Sequence, residues 1–376
     1  MKKVTYILLF VISIIIMSCK NERNSNDRDQ AILILENYDH EVVVSDISIP
    51  WGFTFLPDQS LLITEKSGDL IHFKNGNKTI INNLPEIKVQ GQGGLMDIAL
   101  HPDYENNGWL YITYASDKGE GNGANTALMR CKLENNALVD KKVLYKASPN
   151  SKRGQHFGSR IEFDNEGYLY FSIGDRGNRD VNPQNIERDC GKVYRINTDG
   201  SIPADNPFVR DNNAKKAIFS YGHRNIQGMA RHPETGEIWT HEHGPKGGDE
   251  INIVEAGKNY GWPVISYGVN YSGSKFTEKT AQEGMEQPLH HWTPSIAPSG
   301  MAFVTSSVYP ELKGKLLVGS LKFQYLNVCT LQGNKVIKEE RLLDGLGRLR
   351  SIEEGPDGYI YAGVENVGIV KLIPKN

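Results

Sequence analysis

From position 40 to the C-terminus the chain repeats one phrase: a loop with Gly, Asp or Asn, then a short alternating strand of aromatic and β-branched residues. The phrase occurs at Gln59–Thr64, Gly108–Thr113, Gly167–Ser172, Gly236–Thr240, Gly314–Gly319 and Gly358–Gly363. An apolar run ending in an Asp, Asn, Glu or His-Pro turn precedes most of them, at Phe53–Asp58, Ile98–Asp103, Ile161–Asn165, Met229–Glu234 and Ile352–Asp357. Strand, turn and strand at blade-like intervals predict an all-β fold, a six-bladed β-propeller of four-stranded antiparallel blades over 39–376. A pair of β-sandwiches is the alternative all-β arrangement. No Gly-x-Gly-x-x-Gly opens a helix, and neither a Walker loop nor a Gly-x-Ser-x-Gly elbow is present, so helix-dependent folds lose their support. The ring is expected to close by pairing Glu41–Ser45 with Val367–Ile373, because first and last blades otherwise leave an open edge.

Composition narrows this picture without changing it. A chain of 376 residues fits one large all-β domain. Its net charge of −3 gives no global field for nucleic acid or anionic membrane. The 38 Gly, 17 Tyr and 12 Phe suit many short strands joined by tight turns, and long helices are not expected.

The N-terminus reads differently. Lys2 and Lys3 precede an apolar run from Tyr6 to Met17 that stops at Ser18-Cys19. The run is too short for a stable span and reads as a secretion signal over 1–18, similar to bacterial lipoprotein signals in which Cys19 becomes the acylated first residue. An uncleaved anchor or a plain signal peptide is the alternative. Asn21–Gln30, polar and without periodicity, then reads as a flexible tether, which is taken to run over 19–38. The protein is thus expected to be exported and lipid-anchored to the cell envelope, with monomer and homodimer both open. Cys131, Cys190 and Cys329 remain, an odd number without C-x-x-C spacing, so no zinc site or disulfide framework is indicated. Cys131 and Cys329 sit in apolar alternating runs and are expected to be buried.

The informative residues are the polar ones that interrupt strand ends. Gln155–Arg160 leads into one strand and Gly174–Gly177 closes the next, so a tight connection brings His156 and Asp175 within reach. A carboxylate beside an imidazole fixes its tautomer and raises its basicity, which serves either a general base or a structural hydrogen bond. Tyr221–Asn225 is a second interruption, carrying Arg224. Lys322 lies between apolar neighbours, and alternation sends Arg348 and Arg350 to one side of an extended chain. Four cations from three separate blades converging on the axis would demand an anionic partner, since Arg binds carboxylate or phosphate with two nitrogens at once. The loop His241–Glu250, followed by Asn259–Pro263, offers carbonyls and carboxylates, the oxygen ligand set Ca²⁺ favours. His241 and His243 fall on one face of an extended chain, which keeps a transition-metal site as the alternative.

Taken together, Gly91–Gly94 before Ile98–Asp103, His156–Arg160, Gly174-Asp175, Gly191–Val193 with Gly200–Pro207, Arg224-Asn225, Gly244-Pro245 and Arg348–Arg350 resemble the PQQ-dependent aldose sugar dehydrogenases, relatives of soluble glucose dehydrogenase in the glucose/sorbosone dehydrogenase family. The motifs occur in the family's order over nearly the whole chain after His40. The resemblance implies a propeller holding pyrroloquinoline quinone (PQQ), a tricarboxylate, on its axis. It implies that Lys322, Arg348 and Arg350 bind the quinone's carboxylates, that Gln92 and Asn225 bond its polar edge, and that Arg224 faces its reactive carbonyl. It further implies Ca²⁺ on the carbonyls of Gly244 and Pro245, and a second Ca²⁺ at Asp249, Glu250 and the carbonyl of Tyr260. His156, oriented by Asp175, would then deprotonate the anomeric hydroxyl of an aldose, giving a lactone and leaving reduced quinone for an electron acceptor not specified by the sequence. Gln155 and Phe157 stand where the soluble glucose dehydrogenases carry Asp and Gln, which places the chain nearer the aldose branch. Two other classes compete: a non-catalytic propeller binding sugars or proteins, and a Ca²⁺-dependent lactonase.

Overall fold

The computed structural model describes residues 33–375; the expected leader, Cys19 and most of the expected tether lie outside the described residues. Six sheets, each built on four antiparallel strands, follow one another along the chain, and the fifth carries one additional parallel strand at its outer edge. Blades I to V cover residues 50–80, 95–146, 161–221, 226–292 and 298–342, and blade VI covers 349–374 with Tyr38–Ser45 added as its outermost strand. One helix, Tyr104–Asn107, occurs among the described residues.

The first strand of each blade is the innermost: Pro50–Phe55, Leu95–Leu100, Ile161–Phe163, Ile226–Arg231, Pro298–Phe303 and Leu349–Glu354. Each packs against its counterpart in the next blade, and blade VI returns to blade I, so these six strands line a closed ring. The six repeated phrases are the second strands, and these are buried along almost their whole length. The cause is that both faces of a blade meet a neighbouring blade. Each of the six junctions accordingly has its own apolar cluster, such as Leu62, Leu70, Ile98 and Ile112 between blades I and II, and Val44, Phe53, Ile63 and Ile369 between VI and I. Burying a side chain of that size contributes roughly 1.5–3 kcal/mol, so every junction adds several such increments.

Closure follows the expected pairing, with Glu41 opposite Lys371 and Ser45 opposite Gly368. The pairing starts earlier than expected, at Tyr38 opposite Pro374. One further correction concerns the expected tether, whose end is structured. Leu33–Ile34 pairs in parallel with Glu340 and Arg341 on the outer edge of blade V, and the Leu35 N–H bonds the Arg341 carbonyl at 2.8 Å. An otherwise open edge of backbone donors and acceptors supplies the reason. Cys131, Cys190 and Cys329 are free and buried.

Candidate active site

The site sits where loops before the innermost strands meet at one end of the ring. Two of these loops touch backbone to backbone. Gly174 closes the second strand of blade III, and a Cβ there would stand 2.4 Å from the His156 carbonyl oxygen. Gly158 has φ +65°, and a Cβ on it would come within 2.7 Å of the Gly174 nitrogen. Only glycines permit this approach, and it sets His156 over Asp175.

His156 Nδ1 lies 2.6 Å from Asp175 Oδ1. The other carboxylate oxygen accepts the Trp262 indole N–H at 2.9 Å, and Oδ1 also accepts the Gly177 N–H at 2.6 Å. This leaves His156 Nε2 as the ring nitrogen for chemistry. His156 itself adopts the left-handed region, φ +59°, and its N–H is held by Gln92 Oε1 at 2.8 Å. Burial, and then the Arg224 charge, push the imidazole below the ordinary histidine range, with Asp175 opposing them. Burial raises Asp175, but the His156 hydrogen bond, its charge and Arg224 together hold the carboxyl below its usual value. A neutral imidazole beside a carboxylate is the protonation state that accepts a proton.

Arg224 is buried, donates Nη1 to the His243 carbonyl at 2.9 Å, and stands 5.3 Å from the Trp262 ring centroid. Its backbone N–H bonds Glu242 Oε2 at 2.5 Å, and the Asn225 N–H reaches the same oxygen at 3.3 Å. Glu242 Oε1 meets His223 Nδ1 at 2.9 Å, and His223 Nε2 meets Ser220 Oγ at 2.8 Å. This Ser-His-Glu chain has the look of a hydrolytic triad. All three members are sealed from solvent, so its effect is to clamp the Arg224-Asn225 peptide. Asn225 Oδ1 accepts the Gly158 N–H at 3.1 Å, which locks the His156 loop from below.

Gln92, His156, Asp175, Arg224 and Pro245 line one cavity of about 340 Å³, together with Gln155, Gly177, Arg179, Trp262, Asn270 and Tyr271. Arg350 approaches from blade VI: Nη1 reaches Gln227 Oε1 at 3.4 Å, and Gln227 Nε2 bonds the Gly158 carbonyl at 3.1 Å. Arg348 and Arg350 share one carboxylate, Glu365, at 2.7 and 2.5 Å. Arg348 is half exposed and also donates to the Leu321 carbonyl, next to Lys322. Lys322 is exposed, rests over the Phe323 ring at 4.7 Å, and stands outside the lining of this cavity, as do Arg348, Arg350 and Asn225. The two arginines against one glutamate leave a surplus positive charge, to which Arg224 and Lys322 add, since neither forms an ion pair among the described residues.

The expected metal ligands separate into two groups. Asp249, expected as a ligand, instead accepts four protein hydrogen bonds, from Gly244 N, Ser295 Oγ, Ile296 N and Ala297 N at 2.8–3.0 Å. Its lone pairs are committed to bracing the 295–297 loop, so this geometry gives it a structural task. Glu250 differs. It faces Glu242 across two paired strands and, with Glu242, Gly244, Tyr260 and Ser266, lines a small cavity. Burial and then the Glu242 charge push Glu250 up. His241 and His243 lie on one face, but each Nε2 bonds a blade V carbonyl, Gly300 at 2.9 Å and Pro298 at 2.8 Å. Burial depresses His241 to about 3, and no cluster of three His, Cys, Asp or Glu side chains fit for a metal ion occurs among the described residues.

A larger cavity, about 480 Å³, is lined by residues of all six innermost strands and is the axial channel itself. Arg160 spans it, bonding Asp97 at 3.2 Å, the Gln227 carbonyl at 2.7 Å and the Arg350 carbonyl at 2.7 Å.

Comparison with known proteins agrees with this architecture. Residues 47–371 match the family model described as Glucose / Sorbosone dehydrogenase. The chain is 38% identical to the aldose sugar dehydrogenase YliI of Escherichia coli over 346 residues, covering 89% of this chain and 93% of the relative. The apo crystal structure of the soluble aldose sugar dehydrogenase from Escherichia coli superposes with a TM-score of 0.87 at 37% identity, over 90% of this chain and all of that one. The PQQ-bound aldose sugar dehydrogenase of Streptomyces coelicolor superposes with a TM-score of 0.72 at 25% identity, over 91% of this chain and 99% of that one. A six-bladed ring with these loops at its mouth, matched over nearly its whole length, makes this chain a member of the glucose/sorbosone dehydrogenase family of oxidoreductases.

Proposed function

We propose that the chain oxidises the C1 hydroxyl of an aldose to the lactone, with PQQ as oxidant and His156 as general base. The observation that carries this is the His156–Asp175 pair, facing a cavity that also holds Arg224. The chain fits PQQ in two respects: Arg224 and Arg179 in the cavity's lining, with Arg350 linked to the His156 loop through Gln227, supply positive charge that suits a tricarboxylate, and the cavity is walled by Trp262 and Tyr271, whose flat faces suit a planar ring system. Lys322, Arg348 and Arg350 would hold its carboxylates, and Gln92 and Asn225 its polar edge. When bound, PQQ supplies the acceptor for the hydride that leaves C1.

The remaining chemistry falls to the chain's own groups. His156 Nε2 takes the hydroxyl proton, while Asp175 stabilises the imidazolium that forms, and Trp262 keeps Asp175 from rotating away. Arg224, pinned through Glu242, presents a fixed cation to oxygen charge that develops beside it. Ca²⁺ is proposed at two places, the carbonyls of Gly244 and Pro245, where it would act as a Lewis acid, and Glu250 with the Tyr260 carbonyl, where it would offset the facing carboxylates of Glu242 and Glu250. We also propose export and attachment to the cell envelope through a lipid on Cys19.

Dye reduction by a panel of aldoses, after reconstitution with PQQ and Ca²⁺, tests this reading. His156→Ala is expected to lower kcat by about 10²–10⁴-fold with PQQ affinity retained. A reconstituted wild type inert toward every aldose, or a His156→Ala enzyme of full activity, overturns it.

A further inference from the structure

Behind the turn that carries Asp175 lies a separate cavity of about 200 Å³, lined by Arg153, Arg176 and Arg188 with Asn150, Asn178 and Asn182. No carboxylate is part of that lining. The hydrogen bonds of all three guanidinium groups go to neutral acceptors: Arg153 to the Gly177 carbonyl, Arg176 to the carbonyls of Gln155, Ala124 and Arg153, and Arg188 Nε to Asn182 Oδ1 at 3.2 Å. Arg176 is 1% exposed, and its Nε is buried with no partner.

Two lysines stand behind the same wall. Lys146 Nζ bonds Asn150 Oδ1 at 2.7 Å, and Lys192 Nζ bonds the carbonyls of Asn182 and Cys190 at 2.6 and 2.7 Å. Burial lowers Lys192 to about 7, Lys146 to about 8 and Arg176 to about 10, and the charges of Asp189 and Asp175 oppose it only in part. Asp189, next in sequence to Arg188, is turned away toward Tyr145, the Ser148 N–H and Tyr194. The Asp175 carboxylate is committed to His156 and Trp262. Three arginines with neutral acceptors only, one of them fully buried with an orphaned donor, leave this pocket without its anion.

We propose that this pocket binds a small oxyanion, a carboxylate or phosphate group seated among Arg153, Arg176 and Arg188. Guanidinium forks match such groups two oxygens at a time, and the asparagine amides offer further donors. The pocket adjoins the active site. Arg153 donates to the carbonyl of Gly177, which lines the hub cavity, and Asn182, which accepts from Arg188, donates Nδ2 to the Asp175 carbonyl at 3.0 Å. The oxyanion is either free in solution or carried by a sugar whose reducing end occupies the hub.

Calorimetry on the full chain with inorganic phosphate as probe tests the site without requiring turnover. Saturable binding is expected, weakening as ionic strength rises, and becoming tenfold or more weaker in Arg188→Gln, the loss of one charged hydrogen bond. Arg153→Gln provides a second variant at the rim, with the same expected direction. A parallel titration with glucose 6-phosphate separates the two sources: a sugar-borne group gives tighter binding than inorganic phosphate, whereas a free anion gives similar affinities. Absence of saturable phosphate binding to the wild type, or binding unchanged in both variants, overturns the proposal, whatever the outcome for sugar oxidation.

Discussion

Glu242 touches no part of the hub cavity, yet three donors converge on its carboxylate, from His223, Arg224 and Asn225. Replacing it with Ala strands two backbone N–H groups in a buried site, at about 1–3 kcal/mol each, so Glu242→Ala should destabilise the fold by about 2–6 kcal/mol. Glu242→Gln keeps an oxygen for the two N–H groups and forfeits only the charge. His223 can accept from the new amide by changing tautomer, still meeting Ser220 through Nε2. Charge-assisted bonds are about twice as strong as neutral ones, which sets the Gln cost at roughly 1–2 kcal/mol. Because the clamped peptide carries Arg224, release of the clamp should reach the chemistry. A displacement of about 1 Å is enough to lower kcat by about 10²-fold. Urea unfolding should therefore rank wild type above Gln above Ala, and reconstituted kcat should follow the same order. A Glu242→Ala protein within about 1 kcal/mol of wild type, with kcat within about twofold, would refute the clamp.

Two further predictions concern the same hub. The neutral imidazole of His156 is maintained by burial and by Arg224; the acid limb of kcat/KM should accordingly lie below about 6.5, the ordinary histidine value, and should move to higher pH in Arg224→Gln. A limb that stays put or moves to lower pH in that variant contradicts the assignment. Arg160→Met leaves Asp97 buried without its partner beneath the hub and should cost about 3–5 kcal/mol in urea unfolding; an unchanged midpoint would show that the axial pair contributes nothing.

The architecture was legible because a propeller writes its period into the chain. The six phrases are the six second strands, and the closing strand was marked by an edge that needed a partner. The His156–Asp175 contact was legible too, since a tight connection joins the ends of consecutive strands. Other features depend on chain segments distant in sequence. Glu365 sits in a hairpin turn, and nothing near it announces that it pairs with both Arg348 and Arg350. Trp262 was visible as part of an unusual loop, but its bond to Asp175 spans 87 positions. Asp249 reads as a metal ligand because competing backbone N–H donors carry no sequence signature; only the folded 295–297 loop reveals them. Leu33–Ile34 belongs to a short apolar run, Ala31–Leu35, that follows the polar stretch and reads as part of the tether; its pairing partner on the outer edge of blade V lies about 300 positions away and leaves no local signal.

An absorbance titration of the purified protein with PQQ, followed by addition of an aldose, tests the central claim most directly. Saturation at one equivalent is expected, with sugar-driven bleaching of the oxidised chromophore in wild type and binding without bleaching in His156→Ala. Failure of PQQ to saturate the wild-type protein, or bleaching that proceeds equally without His156, would contradict it.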